Sequence, residues 1–317
     1  MSDIAHRTIE TNGINMHLAE AGEGPLVLLL HGFPELWYSW RHQLPALAAA
    51  GYHAVAPDVR GYGRTDAPGA IESYSMLNHV ADAVGVLDAL GEEGAVVVGH
   101  DWGAPIAWHC ALLHPDRFSA VVALSVPYMP RSSAPPTQLM KQMSPDNFFY
   151  ILYFQEPGLA EAELEADVGR SFRLLLYDAS GDAPRSAWLS LKPKEAKLLD
   201  GMREPAQLPP WLGRADIDCF IAEFERTGFR GGLNRYRNMD RDWEQLAHLA
   251  DAKVQQPALF IAGDRDGVLA FTSIDAMKAN VPNLRKAVIL PGCGHWTQQE
   301  RPAEVNSALV EFLRGLS

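Results

Sequence analysis

The stretch Ala95-Val-Val-Val-Gly-His-Asp-Trp-Gly-Ala104 decides the predicted fold. Its apolar run predicts a buried strand, and a predicted helix begins at Trp102. Between them lies a small-x-Asp-x-small frame, whose small residues give room for a sharp strand-to-helix turn that usually presents a nucleophile. Asp101 stands at its centre. Alternatively, Asp101 only caps the helix, since aspartate is a common N-cap residue.

Length, composition and charge limit the classes of protein to which this chain can belong. A chain of 317 residues, 47% of them apolar, can form one large domain or one domain with an insertion. The formal net charge of −12 argues against nucleic acid or an anionic membrane as a partner. Because no segment is apolar enough to span a bilayer and the first residues do not resemble a signal peptide, we expect a cytoplasmic protein.

The cysteines and glycines indicate neither a disulfide framework nor a bound cofactor. Cys110, Cys219 and Cys293 are odd in number and lie far apart, without the close pairing of a zinc site. No Gly-x-Gly-x-x-Gly follows an early strand, and no phosphate-binding Gly-Lys-Ser/Thr occurs. We therefore expect no metal and no organic cofactor.

Short apolar runs alternate with helical stretches along most of the chain. This alternation predicts a mostly parallel sheet with helices on both sides, preceded by a hairpin around Asn12-Gly13. The runs are Leu26–Leu30, His53–Ala56, Ala95–Val98, Ala120–Val126, Ala258–Ala262 and Ala287–Leu290. The helical stretches are Trp40–Ala50, Met76–Leu90, Trp102–Leu113 and Ala303–Leu316.

The alternation stops after the run that ends at Val126 and resumes at Pro257. The residues between are rich in aromatic, Glu, Arg and Leu side chains and are punctuated by prolines. We therefore predict a helical cap domain at 129–249, inserted into an α/β core domain formed by 1–128 and 250–317.

Three further polar residues follow predicted strands and are candidate partners of Asp101. His295 lies after the last strand, where a mobile imidazole can reach a central turn. Asp266 follows the strand before it, and Asp264 is its rival. The order nucleophile, acid, histidine is that of a catalytic triad in doubly wound hydrolases. Either aspartate could instead simply form a turn.

The loop after the first buried strand, His31-Gly32-Phe33-Pro34, is a candidate oxyanion hole. In this class of fold that loop supplies one backbone N–H group, and the residue after the nucleophile supplies the other. This assigns the N–H groups of Phe33 and Trp102. We expect His31 to brace the loop from the core rather than to act in catalysis.

These motifs together resemble the α/β-hydrolase-fold epoxide hydrolases over nearly the whole chain. The core motifs are His31–Glu35, Gly99–Gly103 and Gly294–Gln298, and the more specific cap motifs are Tyr153–Gly158 and Leu233–Asn238. The resemblance implies an eight-stranded, mostly parallel sheet flanked by helices, with an inserted helical cap. It also implies an enzyme that converts epoxides to vicinal diols, with an epoxide and water as its partners and a homodimer left open.

The resemblance also assigns residue roles. In that family two cap tyrosines donate hydrogen bonds to the epoxide oxygen, and by motif these are Tyr153 and Tyr236. Tyr150 lies one helical turn from Tyr153 and is the alternative. The triad acid becomes Asp266. The sequence differs from the family at one position near the expected pocket wall. Arg235 stands there, where related enzymes often carry an aromatic residue.

The expected chemistry follows from acidities. A carboxylate is ionised at neutral pH, so Asp101 can open a strained ring without a base, forming an ester with the substrate. His295, oriented by Asp266, would then activate the water that hydrolyses this ester. The side chains expected to contact the substrate are those of Phe33, Trp102, Tyr150 and Met143.

Three other functions are alternatives on this fold. A haloalkane dehalogenase has the same nucleophile but needs N–H donors for halide, which the indoles of Trp102 and Trp211 could supply. The two tyrosine motifs favour epoxide hydrolysis instead. A serine esterase is disfavoured by Asp101 itself, and a non-catalytic binding protein would be expected to have lost members of the triad.

Overall fold

An eight-stranded sheet forms the centre of the molecule in the computed structural model, which describes residues 4–184, 187 and 191–316. The spatial order is β1-β2-β4-β3-β5-β6-β7-β8. β2 pairs antiparallel with β1 and β4, and all other pairs are parallel. This confirms the predicted mostly parallel sheet. The strands are β1 (Ala5–Thr11), β2 (Ile14–Ala21), β3 (Leu26–Leu30), β4 (His53–Pro57), β5 (Ala95–His100), β6 (Phe118–Leu124), β7 (Ala258–Gly263) and β8 (Leu284–Leu290).

Helices surround this sheet and fill the segment between β6 and β7. They are α1 (Gln43–Ala49), α2 (Met76–Leu90), α3 (Gly103–Leu113), α4 (Pro136–Met143), α5 (Tyr150–Tyr153), α6 (Leu159–Leu164), α7 (Val168–Asp178), α8 (Arg214–Thr227), α9 (Arg230–Tyr236), α10 (Met239–Gln245), α11 (Ile274–Asn280), α12 (Thr297–Glu300) and α13 (Pro302–Arg314). Short 3-10 helices lie at Trp37–Trp40, Ile71–Tyr74, Ala247–Leu249 and Gly267–Ala270.

Both faces of the central strands are buried, which explains their continuous apolar sequence. Within β3, Leu28 belongs to the core beneath α2 and α3, and its neighbour Leu29 belongs to the core beneath α1 and α13. Successive side chains of a strand point to opposite faces, so one apolar run serves two cores. The edge strand β8 is largely exposed along its length.

The predicted hairpin at Asn12-Gly13 joins β1 to β2, with positive φ angles of 44° and 74°. The predicted helix Trp40–Ala50 is shorter than expected, because α1 begins only at Gln43. Before it the chain winds more tightly, since the amide of Arg41 bonds the carbonyl of Tyr38 in a 3-10 turn.

Between β6 and β7, helices joined by loops and turns make up the regular secondary structure of the described residues, apart from an isolated bridge between Asn147 and Pro193. These helices support the predicted division into a core at 1–128 and 250–317 and a cap at 129–249, which stays a prediction. Among the described residues, no helix is long and apolar enough to cross a membrane.

The backbone of the turn between β5 and α3 packs directly against the backbone of β3. A Cβ atom on Gly103 would lie 2.0 Å from the carbonyl oxygen of Leu30, and one on Gly99 would lie 2.0 Å from that of Gly103. Neither contact can be relieved by rotating a side chain. The small residues that the sequence places around Asp101 are therefore required by the close approach of the backbone.

Substituting Gly103→Ala is expected to lower the free energy of unfolding by about 1–3 kcal/mol, since overpacking against backbone forces the turn open. Gly69→Ala is the matched control, because a Cβ there meets nothing within 4 Å. We expect that variant to stay within about 0.5 kcal/mol of the unsubstituted chain. Urea unfolding checks both, and equal stability of the two variants would contradict the packing argument.

Candidate active site

Five residues that carry the site follow the carboxyl ends of five parallel strands. Such ends lie at one edge of a doubly wound sheet, where ligands usually bind. Phe33 follows β3, Asp101 follows β5, Ser125 follows β6, Asp266 follows β7 and His295 follows β8.

Asp101 sits on the sharp turn in the left-handed region, with a φ of 49°. Its Oδ1 accepts a hydrogen bond of 2.7 Å from the amide of Phe33. Its Oδ2 lies 3.5 Å from Nε2 of His295. One carboxylate oxygen is thus held by the backbone, while the other faces the histidine across the floor of a cavity.

One of the two predicted oxyanion donors contacts Asp101 in this structure, and their joint role stays a prediction. In the described part of the chain the Asp101 carboxylate accepts from the Phe33 amide, with no matching bond from the amide of Trp102. His31 is buried and accepts a hydrogen bond of 2.9 Å from the amide of Val59 through Nε2. The imidazole of His31 therefore ties this loop to the chain that follows β4.

Asp266, rather than Asp264, lies beside His295. The carboxylate oxygens of Asp266 are 3.1 and 3.2 Å from Nδ1 of the histidine. Asp264 instead accepts the amide of Gly292 at 2.7 Å, so it stabilises the loop that carries His295. The structure thus separates the two aspartates, which residue spacing left as rivals and the resemblance resolved in favour of Asp266.

Two carboxylates control the proton affinity of His295. Burial by itself disfavours the imidazolium, but Asp266 and Asp101 outweigh it and hold the pKa of His295 well above its ordinary value. Burial also opposes ionisation of Asp266, yet its contacts with His295 and Ser125 bring the pKa of that carboxyl below its usual range. While Asp101 carries its charge, the pair is therefore a carboxylate beside an imidazole that favours its protonated form.

Ser125 is a residue of the site that the sequence analysis missed. Its hydroxyl contacts Asp266 Oδ2 and lies 2.9 Å from Nδ1 of His295. In the sequence it lies inside the apolar run Ala120–Val126, which predicts a strand. No local pattern separates it from an ordinary serine at a strand end.

A buried ion pair between His100 and Glu35 lies beside the backbone of His295. Nε2 of His100 is 2.7 Å from the carbonyl oxygen of His295, and Nδ1 is 2.6 Å from Glu35. Both partners accept, so both ring nitrogens carry hydrogen. Burial would raise the pKa of Glu35, but His100 outweighs it and lowers that pKa to about 2. Both residues lie in the core motifs, which gave no hint of this pairing.

The cap also holds the histidine loop. The amide of His295 donates to the carbonyl of Ala179, just after α7, at 2.8 Å. Glu300 accepts the amides of Gly181 and Gly294 through one carboxylate oxygen, at 2.9 and 2.8 Å. Cap and core are therefore joined at the point where the imidazole enters the cavity.

A mainly apolar cavity lies between cap and core. Aromatic rings surround its polar floor, which is formed by Asp101 and His295. Its lining residues are Phe33, Pro34, Asp101, Tyr150, Phe154, Leu175, Asp178, Ala179, Leu198, Met202, Tyr236, His295 and Trp296.

Two tyrosines of the cap line this cavity, and they are Tyr150 and Tyr236. Burial, and then the negative charge of Asp101, raise the pKa of both phenols far above the ordinary value. Both hydroxyls therefore stay protonated and can donate to a ligand above Asp101.

Tyr153 is not among the lining residues, so the prediction for this position needs correction. Its hydroxyl donates to Oε2 of Glu163 on α6 at 2.9 Å. The same carboxylate accepts the amides of Leu198 and Leu199, which fixes it away from the cavity. One helical turn along α5, the alternative Tyr150 takes the position at the cavity.

Two other expected substrate contacts also differ from prediction. Met143, the last residue of α4, is 77% exposed and lies outside the lining, since its helix ends at the surface. Trp102 lies behind Tyr236 rather than on the cavity wall, with the two rings 5.1 Å apart. Of the four expected contacts, Phe33 and Tyr150 line the cavity.

Arg235, which stands where related enzymes often carry an aromatic residue, stabilises the cavity wall from its outer side. Its guanidinium stacks over the Trp102 ring at 4.6 Å and pairs with Asp242, and it also donates to the carbonyl of Tyr74. It therefore joins α9, which carries Tyr236, to the residue beside Asp101.

Two further observations limit what the site can bind. The indole of Trp211 donates to Asp182 at 3.1 Å and does not line the cavity. Among the described residues, no cluster of His, Cys, Asp and Glu side chains could hold a metal ion.

Comparisons with known proteins identify the fold and the family. Residues 25–302 match the family described as having the alpha/beta hydrolase fold. Epoxide hydrolase A of Mycobacterium tuberculosis is 52% identical over 98% of this chain and 97% of its own length. Epoxide hydrolase 3 of Siraitia grosvenorii is 44% identical over 99% of both chains.

Solved structures extend the likeness to the whole fold. The crystal structure of epoxide hydrolase A from Mycobacterium thermoresistibile has a TM-score of 0.96 at 52% identity, covering 99% of both chains. The epoxide hydrolase from an endophytic Streptomyces has a TM-score of 0.95 at 53% identity, covering 99% of this chain and 96% of its own. With core and cap matched alike, the chain belongs to the epoxide hydrolases of the alpha/beta-hydrolase fold.

Proposed function

We propose that this epoxide hydrolase forms vicinal diols through a covalent ester on Asp101, with Tyr150 and Tyr236 as the proton donors. The observation that carries the proposal is the placement of two buried phenols in one cavity with an ionisable carboxylate and an imidazole. The carboxylate attacks a carbon of the epoxide, and the phenols donate hydrogen bonds to the epoxide oxygen. The imidazole then accepts a proton from the water that hydrolyses the ester.

Ring opening uses the groups at the cavity floor and wall. A carboxylate oxygen of Asp101 forms a bond to one carbon of the epoxide, and the C–O bond of the ring breaks. The leaving oxygen is strongly basic, so it needs a hydrogen-bond donor and then a proton. Tyr150 and Tyr236 supply both. As Asp101 becomes an ester it loses its charge, which removes one cause of the low acidity of these phenols.

Ester hydrolysis uses His295 and Asp266. Neutral His295 takes a proton from water, and the water oxygen bonds to the carboxyl carbon of Asp101. Because the Phe33 amide already contacts Oδ1, it is placed to hold the oxyanion that develops there. The bond from the carboxyl carbon to the ester oxygen then breaks, and that oxygen takes the proton held by His295, which releases the diol. The carboxyl group left on Asp101 returns a proton to the phenolate formed in ring opening, which regenerates both the carboxylate and the phenol.

The lining of the cavity favours a substrate with an apolar or aromatic substituent, for which styrene oxide is a suitable probe. A dehalogenase is less well supported. Trp211 is engaged with Asp182, and the side chain of Phe33 offers no N–H group for a halide. Cytoplasmic localisation and a homodimer are further parts of this proposal.

Substituting His295→Gln is expected to allow ring opening and to block hydrolysis, because no base remains for the water. Intact-mass spectrometry after exposure to styrene oxide should show protein plus one substrate, with the adduct on Asp101. In the control variant, Asp101→Ala combined with His295→Gln, that adduct should be absent. Unmodified His295→Gln protein would contradict the ester mechanism.

Substituting Tyr150→Phe or Tyr236→Phe is expected to slow ester formation by about 10²- to 10³-fold, the usual effect of losing one donor to a developing oxyanion. Tyr153→Phe is the matched control. It removes a hydroxyl three residues from Tyr150 that contacts Glu163, and it should react at close to the wild-type rate. Single-turnover quenching measures these rates. If Tyr153→Phe forms the ester slowly and Tyr150→Phe forms it at the wild-type rate, Tyr153 rather than Tyr150 is the proton donor.

The hydrolytic step is expected to accelerate as pH rises through the pKa of His295 in the ester. His295 must be neutral to accept a proton, and the loss of charge on Asp101 lowers its pKa relative to the free enzyme. Single-turnover decay of the ester, followed across the range in which histidine titrates, checks this sign. A decay rate that falls with rising pH would contradict it.

A further inference from the structure

Ser125 occupies a strained turn at the end of β6. Its φ is 71°, and the amide of Val126 closes a three-residue turn by donating to the carbonyl of Leu124 at 2.8 Å. The Ser125 amide is held in turn by the carbonyl of Ile261 on β7, at 2.8 Å. A turn with positive φ at its central residue is rare and strained, and glycine would adopt it without that strain.

The strain brings a hydroxyl to the catalytic pair. Ser125 is fully buried, and its Oγ touches both Asp266 Oδ2 and His295 Nδ1. The 2.9 Å distance to Nδ1 is shorter than the 3.1 and 3.2 Å distances from Nδ1 to Asp266. Because Nδ1 of His295 also contacts Asp266 directly, the serine lies beside the acid–histidine contact and forms a triangle with both groups.

The hydrogen positions follow from what each group can donate. An ionised Asp266 only accepts, so the Ser125 hydroxyl donates its hydrogen to that carboxylate. The lone pairs of Oγ then face Nδ1 of His295, which must carry a hydrogen. In the neutral imidazole this leaves the lone pair on Nε2, the nitrogen that lies 3.5 Å from Asp101 Oδ2.

We propose that Ser125 is a positioning residue that holds His295 and Asp266 in the arrangement needed for ester hydrolysis. The inference rests on the proposed roles of Asp101, His295 and Asp266 and adds a fourth group to them. Ser125 does not touch the substrate, and His295 has no role in ring opening. Its influence is therefore confined to the hydrolytic half of the reaction.

The test uses two variants of the full chain that lack the hydroxyl. Ser125→Gly also relieves the positive φ, so it preserves the turn, and Ser125→Ala keeps the Cβ atom. With styrene oxide, single-turnover quenching and intact-mass spectrometry follow formation and decay of the ester on Asp101. We expect decay to slow by about 10- to 100-fold in both variants, part of the 10²- to 10⁴-fold that a positioned general base typically contributes. Formation should stay near the wild-type rate.

Two controls separate positioning from a structural role. Ser171→Ala removes another buried hydroxyl, which bonds the carbonyl of Leu164 in the cap, and it should leave both rates unchanged. Adding Ser125→Gly to an Asp266→Asn background should slow decay less than Ser125→Gly does alone, because the two residues act as a unit. Full additivity would overturn the proposal.

The remaining outcomes distinguish this proposal from the one it rests on. If the wild-type enzyme never carries an ester on Asp101, both proposals fall together. If the ester forms and decays in Ser125→Gly and Ser125→Ala at wild-type rates, only the role of Ser125 falls. Equal slowing of formation and decay, with a lowered melting temperature, would assign Ser125 to folding and also overturn the proposal.

Discussion

The contact between the β5–α3 turn and the end of β3 is the constraint on which the site depends. Gly103 lies against the Leu30 carbonyl with no room for a Cβ atom, so two neighbouring strands end at van der Waals distance. That closeness lets the Phe33 amide reach the Asp101 carboxylate at 2.7 Å. The positive φ of Asp101 is sustained by the same packing, because the two flanking elements leave the turn no alternative path.

The charged groups of the site are arranged around the buried imidazole of His295. His295 lies between two carboxylates that favour its protonated form, and burial alone opposes them. Forming an ester removes the charge of Asp101 and leaves that of Asp266. The first chemical step thereby prepares the base for the second. The phenols of Tyr150 and Tyr236 respond to the same change, since the charge of Asp101 is one cause of their raised pKa values.

The sequence predicted those parts of the molecule that depend on local pattern. Continuous apolar runs predicted the parallel strands because both faces of each strand are buried. Asp101, His295 and either Asp266 or Asp264 could be predicted as a group because polar residues in short loops after such strands gather at one edge of the sheet, and the family resemblance then favoured Asp266. Tyr153 was misplaced, because a one-turn helix such as α5 presents several aromatic side chains and its sequence does not say which one meets the cavity.

By itself, then, the sequence determined the strand pattern and the polar residues that follow the strands, through spacing, and its motifs predicted the family through resemblance. Only the tertiary structure decided which neighbours each side chain meets. Glu163 binds the hydroxyl of Tyr153 away from the cavity, and a strained turn brings Ser125 into contact with both Asp266 and His295. These contacts join residues distant along the chain, and side-chain direction is set by such packing rather than by local propensity.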